Sequence, residues 1–302
     1  MANHILSENL ALDQEADRIL KAQRRRQFIS ATLRYGVLTL VGLIMLYPLI
    51  WLIGASFKTN SEIFAGAGFI PNEATISGYV QGWQTSTPYT FGRFFWNTFL
   101  IVVPKMIGTV ISCTAVAYGF ARFDFPGKKV LFASLIATLL LPNVVTRIPQ
   151  YLLFRDLGWL DTFLPLWVPS AFAGDAFFVF MLVQFLRAIP RDMEEAARVD
   201  GANTWQVLLF IVVPLLTPAL ISVCLFQFMW TMNDFLGPLI YLSSVDKFPV
   251  SLALKLSIDT TEAFEWNRIL AMSVLTIMPA LIVFFVAQKY FIEGISAGGV
   301  KG

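Results

Sequence analysis

Histidine and cysteine are almost missing from this 302-residue chain: there is one histidine, His4, and there are two cysteines, Cys113 and Cys224. A single histidine in a polar N-terminal stretch excludes histidine-based triads and multi-histidine metal sites in the body of the chain. The cysteines lie far apart inside apolar runs and lack metal-ligand spacing, so they read as buried free thiols. Charge is scarce too. Asp, Glu, Lys and Arg make up only 14% of the residues, where soluble domains carry about 25%. The formal net charge of +2 offers no basic surface to nucleic acid. No G-x-x-x-x-G-K-[ST] occurs, and the nearest fragment, Gly127-Lys128-Lys129, lacks the earlier glycine, so the chain carries no recognisable P-loop. What remains is apolar: 57% of the residues are hydrophobic, 15% are aromatic and the mean hydropathy is +0.67. That is the composition of a membrane protein.

A helix needs about 20 predominantly apolar residues to cross a bilayer core. Six segments qualify, near 35–57, 97–120, 130–153, 165–186, 207–232 and 269–291. The expected fold is therefore an all-α membrane protein with six transmembrane helices. Its divisions are an N-terminal tail 1–34, a membrane domain 35–291 and a C-terminal tail 292–302. Asn143 and Arg147 suggest that the third span leaves the membrane early and is followed by an interfacial segment through Trp159. Ahead of the first span stand Arg24, Arg25 and Arg26, with no short apolar region and small-residue cleavage site, which is the pattern of an uncleaved signal-anchor. Lysine and arginine counts set the orientation. With both termini inside, 14 of the 22 basic residues fall on the cytoplasmic side and 7 on the outer side, with Lys105 inside a span. The bias gives an N-in, C-in topology and places the connection 187–206 in the cytoplasm.

That connection contains the most informative stretch of the chain, IPRDMEEAARVDGANTWQ (189–206). Pro190 stops the preceding span. Asp192 followed by Glu195 has the spacing of a capping box. Glu194 and Arg198 form an i, i+4 pair in the favourable order. Gly201 fits a left-handed C-terminal cap. A helix from Met193 to Asp200 is expected, with exposed carboxylates and with Met193, Ala196, Ala197 and Asp200 on one shallow face. Eight residues are too few for a helix stable alone in water, so it must dock. No histidine, cysteine or metal partner accompanies the carboxylates, which argues against acid–base catalysis and against an enzyme.

The residues Glu195-Ala196-Ala197, Gly201, Ile211 and Pro214 match E-A-A-x3-G-x9-I-x-L-P, with Val213 in place of the usual leucine. On this motif the chain resembles the permease subunits of binding-protein-dependent ABC importers, in particular the carbohydrate-uptake branch. The extended form Asp200-Gly201-Ala202 and the pair Pro214/Pro218 are also present. SFKTNSEIF (56–64), AYGFARFDFPGKK (117–129) and AQKYFIEGISAGGVKG (287–302) resemble the family too, so the likeness covers nearly the whole chain. Two departures are Met232-Asn233-Asp234, where the family has a tryptophan before the asparagine, and Gly78 in ISGY, where it often has asparagine.

The resemblance implies a type I ABC importer permease fold in the bacterial inner membrane. It implies a coupling helix, formed by Met193, Glu194, Glu195, Ala196, Ala197, Arg198, Asp200, Gly201 and Ala202, that sits in a cleft of a separate ATPase subunit. The partners it implies are a homologous second permease, two ATPase subunits and an extracytoplasmic solute-binding protein. No cofactor is expected on this chain, with ATP and Mg carried by the ATPase. Composition alone leaves the glycine-rich end without regular structure, whereas the resemblance makes Gly298, Gly299 and Lys301 part of a tail that reaches the ATPase subunits.

A substrate path would be lined by polar side chains within spans. Asn97, Asn143, Gln227, Trp230, Asn233 and Asp234 are the leading candidates, with Lys105, Ser112, Thr114 and Gln184 behind them. Gln227, Trp230, Asn233 and Asp234 are expected on roughly one face of the fifth span, where an aromatic ring and amide or carboxylate groups suit a sugar. The residues leave open whether the substrate is a neutral or acidic oligosaccharide or a polyol phosphate. A self-contained secondary transporter is the competing class, disfavoured by the shortage of intramembrane acids and histidines.

Overall fold

The computed structural model describes residues 2–66, 68–85, 87–259 and 265–299, with side chains from Gln23 to Gln288 apart from Asn143 and 257–259. The described residues contain helices, turns and loops and no strand. The chain divides into two compact units, 1–74 and 75–302.

The first unit is dominated by α1 (Ala2–Ala55), whose stretch Gln23–Ala55 is long and apolar enough to cross a membrane. None of its most apolar window is buried within the unit. That pattern suits a helix surrounded by lipid, where an apolar exterior carries no penalty. Beyond α1 the short α2 (Asn60–Ala65) turns the chain. There the Lys58 ammonium is buried and donates to the Gly68 carbonyl at 2.6 Å, and Glu62 accepts the Asn72 N–H.

The second unit is built around α4 (Phe91–Arg122). It is preceded by α3 (Ser77–Gln84) and followed by α5 (Lys128–Leu139), α6 (Asn143–Asp156), α7 (Leu164–Ala171) and α8 (Ala176–Ala188). Next come α9 (Asp192–Val199), α10 (Thr204–Gln206), a π-helical stretch Val207–Val212 and α11 (Val213–Leu215). The chain continues through α12 (Thr217–Met232), α13 (Leu236–Tyr241), a 3-10 turn Val245–Lys247, α14 (Val250–Asp259) and α15 (Trp266–Gly299). α4 packs against α7, α8, α12 and α14. Small residues permit the close approaches that bilayer packing depends on. Gly78 is one of them: a Cβ there would come within 2.6 Å of the Asn267 carbonyl, so the glycine that departs from the family pattern lets α3 lie directly on α15.

Among the described residues four helices are long and apolar enough to span a membrane: Gln23–Ala55, Phe91–Arg122, Leu164–Ala188 and Trp266–Gln288. Two bent pairs, Lys128–Leu139 with Val144–Asp156 and Thr204–Leu215 with Thr217–Met232, bring the number to six if each pair is one span. The bends follow the prolines. Pro142 pushes Leu141 out of helical geometry, and the pair turns by 104°. Pro214 and Pro218 flank Leu216, where the axis turns by 76°; each removes a backbone donor and crowds the preceding turn. The largest core cluster joins Cys113, Ala117 and Tyr118 of α4 to Phe178, Leu182 and Leu186 of α8 and to Val207, Val212 and Leu216. Cys113 is buried as expected, but Cys224 is only half-buried because it faces an apolar groove beside Phe228 and Val283.

Candidate functional site

The eight-residue helix α9 is where the sequence expects it, shifted by one position to Asp192–Val199. Its beginning differs from expectation. Asp192 is the first helical residue rather than the cap, and no side chain caps this end. The chain enters directly from Arg191, already in helical conformation, whose carbonyl accepts the N–H groups of Glu194 and Glu195. Asp192, Glu194 and Glu195 in the first turn and Arg198 in the last complement the helix dipole. The C-terminal end follows expectation. Gly201 is left-handed at φ +87°, the Gly201 N–H donates to the Arg198 carbonyl and the Ala202 N–H to the Ala197 carbonyl, both at 3.0 Å. This pair of bonds is a Schellman motif. A capping box does form, one turn further on: Asn203 and Gln206 exchange side-chain and backbone bonds and start α10.

The inward side of α9 corrects the expectation of exposed carboxylates. Glu194 is only 2% exposed. Its Oε1 accepts Nε of Arg122 at 2.5 Å and its Oε2 accepts the Tyr118 hydroxyl at 3.3 Å. The expected i, i+4 partner Arg198 stands 3.8 Å from Oε2, secondary to Arg122. Arg122 is itself buried, and its Nη2 donates to the Ile189 carbonyl, while Arg191 donates to the Ala121 carbonyl. Ala197 is not on an open face; it packs on the core cluster with Ile189 and Ala202. The outward side keeps Met193, Glu195, Ala196, Val199 and Asp200, with Val199 88% exposed and Trp205 of α10 standing free nearby. Tyr118 and Arg122 were missed from sequence. Their i, i+4 spacing at the end of a span was visible, but nothing local pointed to a carboxylate more than 70 residues away.

This short acid-rich helix, closed by a left-handed glycine, leads into a proline-bent helix pair. Residues 108–296 match the family described as "Binding-protein-dependent transport system inner membrane component". The chain belongs to this family. A probable ABC transporter permease of Pyrococcus horikoshii is 30% identical over 86% of the chain and 94% of its own length. The arabinooligosaccharides transport system permease AraQ of Halalkalibacterium halodurans is 31% identical over 87% and 93%. Among solved structures, a bacterial ABC transporter involved in the import of the acidic polysaccharide alginate superposes with a TM-score of 0.77 at 27% identity, covering 87% of this chain and 96% of that one. The fold is thus that of an ABC importer permease, a multi-pass membrane component rather than an enzyme.

In this permease the expected path residues do not gather on one face. Gln227 is buried and donates to Thr231, with no partner for its carbonyl oxygen among the described residues. Trp230 is half-exposed and lies within 5.1–6.1 Å, centroid to centroid, of Phe177, Phe178 and Phe226. Asn233 donates back to the Met229 carbonyl, and Asp234 accepts the Gly237 N–H at the start of α13. The Asn143 side chain, like Lys301, lies outside what the structure describes; α15 runs through Gly298 and Gly299 to its end. Asn97 is fully buried and bonds the Asp246 and Phe248 carbonyls. Ser112 bonds the Gly108 and Ser170 carbonyls, Thr114 is buried and Gln184 is exposed. Lys105 and Asp234, with Thr98 and Thr231, line a cavity of about 10 Å³, room for one water. The Lys105 ammonium makes no hydrogen bond or ion pair with the described residues.

At the opposite end of α4 a second polar knot ties two loops of the permease together. Asp161 accepts the N–H groups of Ser243 and Ser244, the Ser244 hydroxyl and the Lys247 ammonium. Burial raises the pKa of this carboxyl, but the four bonds outweigh it and hold the group well below the usual carboxylate range.

Proposed function

We propose that this permease is one of two homologous membrane subunits of an ATP-driven importer for a carbohydrate, working with two ATPase subunits and an extracytoplasmic solute-binding protein. Each bent helix pair counts as one span, giving six. Both termini lie in the cytoplasm, and the assembly sits in the bacterial inner membrane. The proposed divisions remain the tail 1–34, the membrane domain 35–291 and the tail 292–302. ATP and Mg are held by the ATPase, and Gly298, Gly299 and Lys301 reach toward it.

The observation that carries the reading is the two-sidedness of α9. One side is bonded to the core through Glu194, while the other offers Met193, Glu195, Ala196, Val199 and Asp200 to solvent. Val199 and Ala196 supply a shallow apolar contact and Glu195 and Asp200 supply charge, which suits a cleft on a partner. The test is chemical crosslinking of Ala196→Cys to the ATPase in membranes. Adduct formation that changes with nucleotide supports docking, and its absence sinks the coupling-helix reading.

A second substrate reading, an acidic oligosaccharide, is favoured by Lys105. An intramembrane ammonium is costly and marks a pathway by default, and this one has no partner among the described residues. Competition of uronate against neutral oligosaccharides for uptake decides between them. Under either reading Asn97, Asn143, Gln227, Trp230, Asn233 and Asp234 remain the proposed path residues, with Asp234 beside Lys105 at one small cavity.

A further inference from the structure

Glu194 lies on the side of α9 that no docked ATPase can touch, and its burial as a charge needs a reason. Taking a carboxylate and a guanidinium out of water costs several kcal/mol per ion, and apolar residues of similar volume hold helices together at least as well. What an ion pair adds is geometry. Nε of Arg122 is aimed at Glu194 within α9, while Nη2 of the same guanidinium holds the Ile189 carbonyl, in the chain that leads into α9. Tyr118, one turn earlier on α4, bonds the other carboxylate oxygen. Arg191 returns the grip by donating to the Ala121 carbonyl. The last turn of α4 and the whole approach to α9 are therefore tied at four points from two directions. α4 in turn packs along α7, α8, α12 and α14.

We propose that Glu194 is a positioning residue that joins α9 to the end of α4 as one rigid body. A displacement of α9 then reaches the spans directly through α4, as well as through its chain connections to α8 and α10. This rests on the reading of α9 as the ATPase-docking helix. Without the joint, α9 would be held only by its chain connections to α8 and α10 and by the packing of Ala197, and ATP hydrolysis would proceed with less of its motion delivered to the helices that pack on α4.

The test uses the complete importer, this permease with its partner permease and ATPase subunits, reconstituted in vesicles. Spin labels at Asp192→Cys and Val116→Cys, in a chain with Cys113 and Cys224 replaced by alanine, report the α9–α4 distance. The expected result is the same distance in the nucleotide-free and ATP-trapped states, while a label pair between Asp192→Cys and the ATPase shifts. A changed α9–α4 distance in the chain with Glu194 intact overturns the joint, and this measurement does not depend on whether any Glu194 variant folds. In Glu194→Gln, substrate imported per ATP hydrolysed should fall about tenfold, with partial recovery in the double exchange Glu194→Arg, Arg122→Glu. Native import per ATP in Glu194→Gln also overturns it. The docking reading fails separately: if Ala196→Cys gives no ATPase adduct, α9 is not the docking helix, whatever Glu194 does. An adduct together with native coupling in Glu194→Gln removes the joint alone.

Discussion

At its Arg122 end α4 grips α9 with two charged side chains buried against each other; at its Phe91 end it grips the segment 245–250 with side chains bonded to backbone and no ion pair among the described residues. Asn97 reaches the Asp246 and Phe248 carbonyls at 2.7 and 3.0 Å, and the Thr98 hydroxyl accepts the Val250 N–H at 3.0 Å. Arg93 adds a bond to the Asp246 carbonyl. Amide-to-backbone bonds fix the path of a loop and leave its side chains free to vary. A buried ion pair fixes one helix against another and fails outright when either partner is lost. The first device suits a static platform, the second an element that must carry force without bending. The outer surfaces agree with this division: α9 keeps an apolar residue, Val199, almost wholly in solvent, whereas Val250 beside Asn97 and Thr98 is buried.

Breaking the α9 end should have the largest effect. Arg122→Ala leaves the buried Glu194 carboxylate with only Tyr118 and the more distant, half-exposed Arg198, and should cost about 3–5 kcal/mol, read as a loss of thermal stability of the purified complex. Arg122→Lys should recover only part of it, because an ammonium cannot hold Glu194 and Ile189 together in the same fork. Gly201→Val comes next. A β-branched residue at φ +87° should cost about 1–3 kcal/mol, measured by denaturation, and should lower uptake by displacing α9. At the other end Asn97→Ala removes two part-buried bonds to backbone carbonyls and should cost about 1–3 kcal/mol, again by denaturation, while binding to the ATPase is unaffected.

Acid tests the knot at Asp161. The Asp161 carboxyl is depressed in the fold, so its contribution is fully present above the ordinary carboxylate value of about 4 and is lost as pH falls below it. The stability difference between the native chain and Asp161→Asn should be about 1 kcal/mol at neutral pH and should shrink as thermal scans move below pH 4. A difference that persists in acid would contradict the bonding described for Asp161. The smallest effect on the fold belongs to Val199→Ala. With the side chain exposed, stability should change by less than about 0.5 kcal/mol, while copurification of the ATPase should weaken.

How far sequence carried these conclusions depends on the range of the interaction. Spans of apolar residues, the helix between Pro190 and Gly201, and the left-handed glycine were legible because each is decided by neighbours in the chain. Pro214 and Pro218 announced a break, although not a 76° turn preceded by a π-helical stretch. Glu194 was misplaced because local pairing rules offered Arg198, while the stronger partner sits at the end of a different span. Asn97 looked like a path residue for the same reason, since its acceptors are about 150 positions away. The supposed face of Gln227, Trp230, Asn233 and Asp234 assumed a helix that continues; α12 stops at Met232, so the last two residues leave the periodicity.

The turn Asp200–Asn203 spends every residue it has. Asp200 ends one helix, Gly201 and Ala202 close its last carbonyls, and Asn203 opens the next helix. There is no slack in it. A single inserted residue would separate the bonds that close α9 from the cap that opens α10 and displace Val207 and Val212, which are buried in the core. Length here should therefore be as constrained as sequence, and homologous chains should differ in this turn by exchange of side chains and not by insertion.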